Sequence, residues 1–113
     1  MSDVIYIDVE EGLKRVVNNA SLYSKLLAKF KNYTHLNDIE SALAEGDFPK
    51  AQNSTHTLKG LAANLSLTEL YKKVQELEAQ LKTGSAFDEQ ISTVKNVYIK
   101  TLEEVDKVIS KYA

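Results

Sequence analysis

The 113-residue chain has no cysteine, no tryptophan, one proline and four glycines. Without cysteine there is no disulfide, no thiolate chemistry and no cysteine-type zinc site, a composition that fits the cytoplasm. So few glycines and prolines argue against an all-β protein, which needs turn residues at short intervals. No apolar run approaches the roughly 18 residues that cross a bilayer. The stretch Met1 to Glu10 carries acids rather than a basic flank and an apolar block, so neither membrane insertion nor a signal peptide is expected. A basic excess is also missing: 14 Lys and Arg stand against 16 Asp and Glu, a formal net charge of −2, whereas nucleic-acid binding usually needs a basic face. There is no Gly-rich phosphate loop and no kinase-type nucleotide motif. The chain is therefore not expected to bind ATP or to phosphorylate itself.

What is present is helical spacing almost throughout. The length fits a single domain over residues 1–113 that can bury one core without staples. Asp8 and Glu11 form a capping-box pattern ahead of Leu13, Val16 and Val17, predicting a short first helix. Asn18 and Asn19 break and recap the chain. A long second segment follows with Leu22, Leu26, Phe30 and Tyr33, then Leu36, Ile39 and Leu43. Its phase drifts between Tyr33 and Leu36, which allows a bend or short break. Gly46 is a helix stop. Asp47 caps a third helix that tolerates Pro49 in its first turn, with Phe48, Ala51, Thr55, Leu58, Ala62 and Leu65 on its apolar side. Ser66 and Glu69 read as another capping box, opening a fourth helix on Leu67, Leu70, Val74, Leu77 and Leu81. Gly84 and Ser85 read as a tight turn. The fifth helix carries Ile91, Val94, Tyr98, Thr101, Val105, Val108 and Tyr112. Long amphipathic helices joined by short loops pack as antiparallel neighbours. The expected fold is all-α: an up-down four-helix bundle with the short first helix as a lid at one end.

The sequence has two histidines. His56 lies in Ser54-Thr55-His56-Thr57-Leu58-Lys59-Gly60, in the third helix. Taking about 100° per residue, the core face centres on Ala51, Leu58 and Ala62, and His56 falls roughly 140° away. It should project into water rather than serve as a core histidine. Gln52 lies one turn before it; Lys59, Gly60 and Ala63 lie one to two turns after it, as surface neighbours. Lys59 would place its ammonium beside whatever the imidazole carries and stabilise a phosphoryl group through charge-assisted hydrogen bonds, although alone it would read as a solvated lysine. Gly60 costs about 1 kcal/mol relative to Ala inside a helix, and it faces away from the core, so close helix packing does not account for it. A position without a side chain beside an exposed imidazole leaves room for a partner, and Ala63 extends that low relief. A neutral imidazole is a nucleophile towards phosphorus. No second acid–base group is spaced to build a hydrolytic triad, and Thr55 and Thr57 point to different faces.

The run His56-Thr57-Leu58-Lys59-Gly60, then Asn64-Leu65, Leu70, Leu77 and Glu78, resembles the signature of histidine-containing phosphotransfer (HPt) domains. The Glu45-Gly46-Asp47 turn and the helical plan extend the likeness to nearly the whole chain. The resemblance implies that His56 accepts a phosphoryl group from a receiver-domain aspartate and passes it to another receiver. It implies electrostatic help from Lys59 and partner access at Gly60; beside these, Gln52, Ala63 and Asn64 are expected to belong to the partner-binding surface. It places magnesium on the receiver, with no cofactor in this chain. Many relatives carry Gly where this chain has Ala63 and Ser66; Ala63 is still small, and Ser66 is read as the cap of the following helix.

His35 sits near the weak point of the second segment, without ligand spacing to His56, and reads as a surface or loop histidine. A zinc site would need three or four convergent ligands, and none are in register. The charges from Tyr71 to Glu78 are mixed, as on a solvated face. The competing readings are a helical-bundle adaptor that docks receivers without accepting phosphate, and an unrelated structural bundle. The second leaves the outward His56, Lys59 and Gly60 unexplained. A monomer is expected, because the bundle can cover its own apolar stripes.

Overall fold

In the computed structural model, residues 4–84 and 88–112 are described. Among them the secondary structure is entirely helical: α1 (Val9–Arg15), α2 (Ala20–Phe30), α3 (His35–Ala44), α4 (Phe48–Asn64), α5 (Thr68–Thr83) and α6 (Asp88–Tyr112). The long second segment is two helices. It breaks over residues 31–34, where the amides of Asn32 and Tyr33 bond back only three residues, to Lys29 and Phe30. Tyr33 then packs edge-on against Phe30, with ring centroids 6.3 Å apart.

Side chains set three of the helix starts. Asp8, Asn19 and Asp47 accept hydrogen bonds from the amides of Glu11, Leu22 and Lys50 at 3.1, 3.0 and 3.2 Å, each satisfying a donor that the first turn leaves open. The first capping box is half formed: the Glu11 carboxylate turns away from Asp8 and accepts from Ser66 Oγ at 2.9 Å. The second does not form. Leu67 is the N-terminal boundary of α5, without a side-chain cap, and Ser66 lies one residue earlier with φ +58°.

The α3–α4 and α4–α5 turns share one hydrogen-bond scheme. Asp47 N donates to Ala42 O and Gly46 N to Leu43 O; Leu67 N donates to Ala62 O and Ser66 N to Ala63 O. This pattern closes a helix through one left-handed residue, usually glycine. Gly46 fills that place at φ +75° in the first turn, and Ser66 fills it in the second. Gly84 ends α5 in the same region at φ +69°, while the Ser85 half of the expected turn lies outside the described residues.

α4 packs between α3 and α5, α5 against α6, and α6 against α2, with α1 resting on α2. The core holds Tyr23, Leu27, Phe30, Ile39, Ala51, Leu58, Ala62, Leu67, Leu70, Val74, Leu77, Val94 and Val105. Burying each large aliphatic side chain stabilises the fold by about 1.5–3 kcal/mol. Two expectations about the core need correction. α2 buries Tyr23, Leu27 and Phe30, so its inner face is turned one residue from the Leu22–Leu26 stripe, and Leu22 is exposed. Phe48 is exposed at the start of α4 rather than part of the core. No helix of the described residues is long and apolar enough to cross a membrane.

Candidate functional site

α4 buries Ala51, Thr55, Leu58 and Ala62, the face given by its periodicity. The opposite side therefore carries His56 outward, with 71% of its side chain exposed. Thr55 is buried and returns its hydroxyl to Ala51 O at 2.7 Å, whereas Thr57 faces solvent.

The neighbouring helix supplies what a reading of α4 alone lacks. Glu78 on α5 is 8% exposed in its side chain and lies between two residues of α4. Its Oε2 is 2.9 Å from His56 Nδ1, and its Oε1 accepts from Lys59 Nζ at 2.6 Å. The bond from Lys59 holds the Glu78 carboxyl below its ordinary range; burial opposes this and the bond from His56 supports it. The same contact raises Lys59. Because Glu78 is ionised, its oxygens accept only, so Nδ1 must be the protonated nitrogen of a neutral His56 ring. The lone pair then sits on Nε2, at the solvent side.

The structure thus corrects one reading and adds detail to another. The stretch from Tyr71 to Glu78 is not a uniformly solvated face, since Glu78 is buried and Tyr71 and Lys73 are half-buried. Lys59 does not extend freely beside the imidazole; it is bound to the carboxylate that also holds the imidazole. Glu78 stands in the family-like signature, and it follows Val74 by four residues at the edge of an apolar stripe. An acid in that place signals a charge with a partner, but the partner lies on another helix and no local pattern names it.

The other expected site residues also lie on this face. A Cβ at Gly60 would meet nothing within 4 Å. Gln52 is half-buried and donates to Leu81 O at 3.2 Å, which ties α4 to the end of α5. Ala63 is half-buried, and Asn64 is exposed as the last residue of α4. His35 is neither in a loop nor fully at the surface: it begins α3, half-buried, with its ring 5.6 Å from that of Tyr33. Among the described residues no cluster of three His, Asp or Glu side chains is arranged to hold a metal ion.

Fold and site together define a helical domain that presents a histidine from the middle of one helix, held from behind by a carboxylate and a lysine. The family model of the Hpt domain matches residues 30–107, and the chain belongs to this family. Hpt domains take part in histidine phosphotransfer in phosphorelays, as carriers rather than enzymes, and interact with receiver domains. No curated protein and no solved structure matches the chain. α1 and all of α2 except Phe30 precede the matched span.

Proposed function

We propose that the chain is a phosphocarrier that accepts a phosphoryl group from a receiver-domain aspartyl phosphate on His56 and passes it to a second receiver. The observation that carries this reading is the pairing of an exposed imidazole with a buried carboxylate at Nδ1, 2.9 Å away. The Nε2 lone pair attacks phosphorus, the N–P bond forms, and the O–P bond to the donor aspartate breaks with its electrons leaving on the carboxylate. The Nδ1 proton stays on the ring, where Glu78 balances the positive charge that the ring acquires. The onward step reverses these changes towards the second aspartate. Lys59 adds positive charge beside the transferring group, and such transfer depends mainly on positioning and electrostatics. Gly60 lets the partner approach, with Gln52, Ala63 and Asn64 around it. Magnesium belongs to the receiver in this scheme, and the chain has no kinase activity of its own.

The packing order α3–α4–α5–α6–α2 supports a scaffold of the up-down four-helix type, with α2 and α3 together as one member. A monomer suffices for the chemistry.

The test mixes the chain with phosphorylated receiver domains and magnesium and follows acid-labile label. The wild type is expected to become labelled, and His56→Gln to stay unlabelled with its fold intact and no large drop in helicity or melting temperature, because the replaced ring is exposed. Receiver binding without any label on the wild type would overturn the carrier reading in favour of a docking adaptor.

A further inference from the structure

One groove next to the site is not used by the transfer chemistry. It lies between α1, α4 and α5, has a volume of about 500 Å³, and includes Arg15, Ala63, Tyr71 and Lys72 in its walls. Ala63 follows His56 by seven residues, which is about 10 Å along a helix. The groove is therefore within reach of a protein docked on the imidazole.

Its charges are unevenly satisfied. Glu11 is engaged, with Oε1 accepting from Ser66 Oγ at 2.9 Å and lying 3.5 Å from Arg15 Nε. Lys72 is exposed and has no ion-pair partner among the described residues. Along α5 the exposed positions Lys72, Gln75, Ala79 and Lys82 follow one another three and four residues apart, forming one ridge. That ridge holds two lysines and no acid. Two acids flank Lys72 on α5: Glu69 three residues before it, and Glu76 four residues after it, which pairs with Lys73 at 3.4 Å. On a chain of net charge −2, the ridge itself thus carries two positive charges, and in the groove Lys72 is the cation without an ion pair among the described residues.

We propose that the groove between Arg15 and Lys72 seats an acidic side chain of the docking receiver domain, so that α1 helps to select the partner. The inference rests on the phosphocarrier reading and deepens it. α1 lies outside the span that the family model matches.

Lys72→Glu and Arg15→Glu test it with a phosphorylated receiver domain that transfers to the wild type. The KM for the receiver should rise by up to about fivefold per reversed charge, the reach of an exposed ion pair, while kcat holds. The loss of transfer on adding salt should weaken, and Lys72→Arg should restore the wild-type KM. Labelling of His56 by phosphoramidate, a donor too small to touch the groove, should be unaffected. Arg15→Glu removes a contact to Glu11, so Lys72→Glu, at an exposed position without an ion pair, decides the matter if α1 loosens. An unchanged KM and salt dependence in Lys72→Glu would overturn the groove and leave the carrier standing. Failure of the wild type to take label from either receivers or phosphoramidate would overturn both.

Discussion

Gly12 in α1 and Gly60 in α4 both stand inside helices, where glycine costs about 1 kcal/mol relative to alanine. Their surroundings differ. Gly12 is buried, and a Cβ there would collide with the Tyr23 ring. Tyr23 is itself fully buried, donates its hydroxyl to Leu65 O at 2.8 Å, and has its phenol pushed up to about 12 by burial and then by the charges of Asp8 and Glu11. At Gly60 a Cβ would enter open space. Packing accounts for the first glycine and leaves the second unexplained within the chain. On the carrier reading proposed above, that open space admits the partner that approaches His56, four residues before it.

Two substitutions break this comparison if it is wrong. Gly12→Ala should lose about 1–3 kcal/mol, the range for forcing extra volume into a packed site, read as a lower urea midpoint with an unchanged slope. A neutral result would mean that Tyr23 moves freely, and the packing account of Gly12 would fall. Gly60→Ala should do the opposite to stability, gaining up to about 1 kcal/mol from helix propensity and a stiffer unfolded chain. It should slow receiver transfer while leaving phosphoramidate labelling intact. A stabilised variant with wild-type transfer would remove Gly60 from the docking surface.

The contrast also marks how far the sequence could be read. Gly60 was legible because α4 repeats its apolar positions regularly: Ala51, Thr55, Leu58 and Ala62 are buried, and the residues opposite them had to face out. Gly12 was not singled out, since its reason is a ring from α2. In α2 the alternatives Leu22–Leu26 and Tyr23–Leu27 are both apolar and one residue apart, and only packing against α6 and α1 decides between them. Ser66 shows a different limit. Serine followed three residues later by glutamate matches a capping box, but the turn closing α4 requires a left-handed residue at that place, and the hydroxyl is taken by Glu11 at 2.9 Å. The resemblance to relatives with glycine at position 66 pointed to the correct backbone, and the local motif pointed away from it. Glu78 was visible as part of a signature without a role, because its role is a contact between helices.

The smallest effect concerns the pair behind the imidazole and tests whether the Gly60 side of the molecule contributes to stability at all. Glu78 is held below the usual carboxyl range, first by Lys59 and then by His56. Its contribution is therefore present above the unfolded carboxyl value of about 4.3 and is lost as pH falls through the lower folded value. Lys59 is raised by the same bond, so its share is present below the ordinary lysine value and is lost as pH rises through the folded one. Glu78→Gln should thus flatten both limbs of a plot of urea midpoint against pH. His56→Gln should leave the alkaline limb as it is and alter the acid limb less, because Lys59 is the stronger cause. Identical limbs in Glu78→Gln and wild type would mean that burial of the carboxylate offsets its attraction to the lysine. Stability would then give no reason for an acid at position 78, and its hold on the Nδ1 proton of His56 would be the reason left.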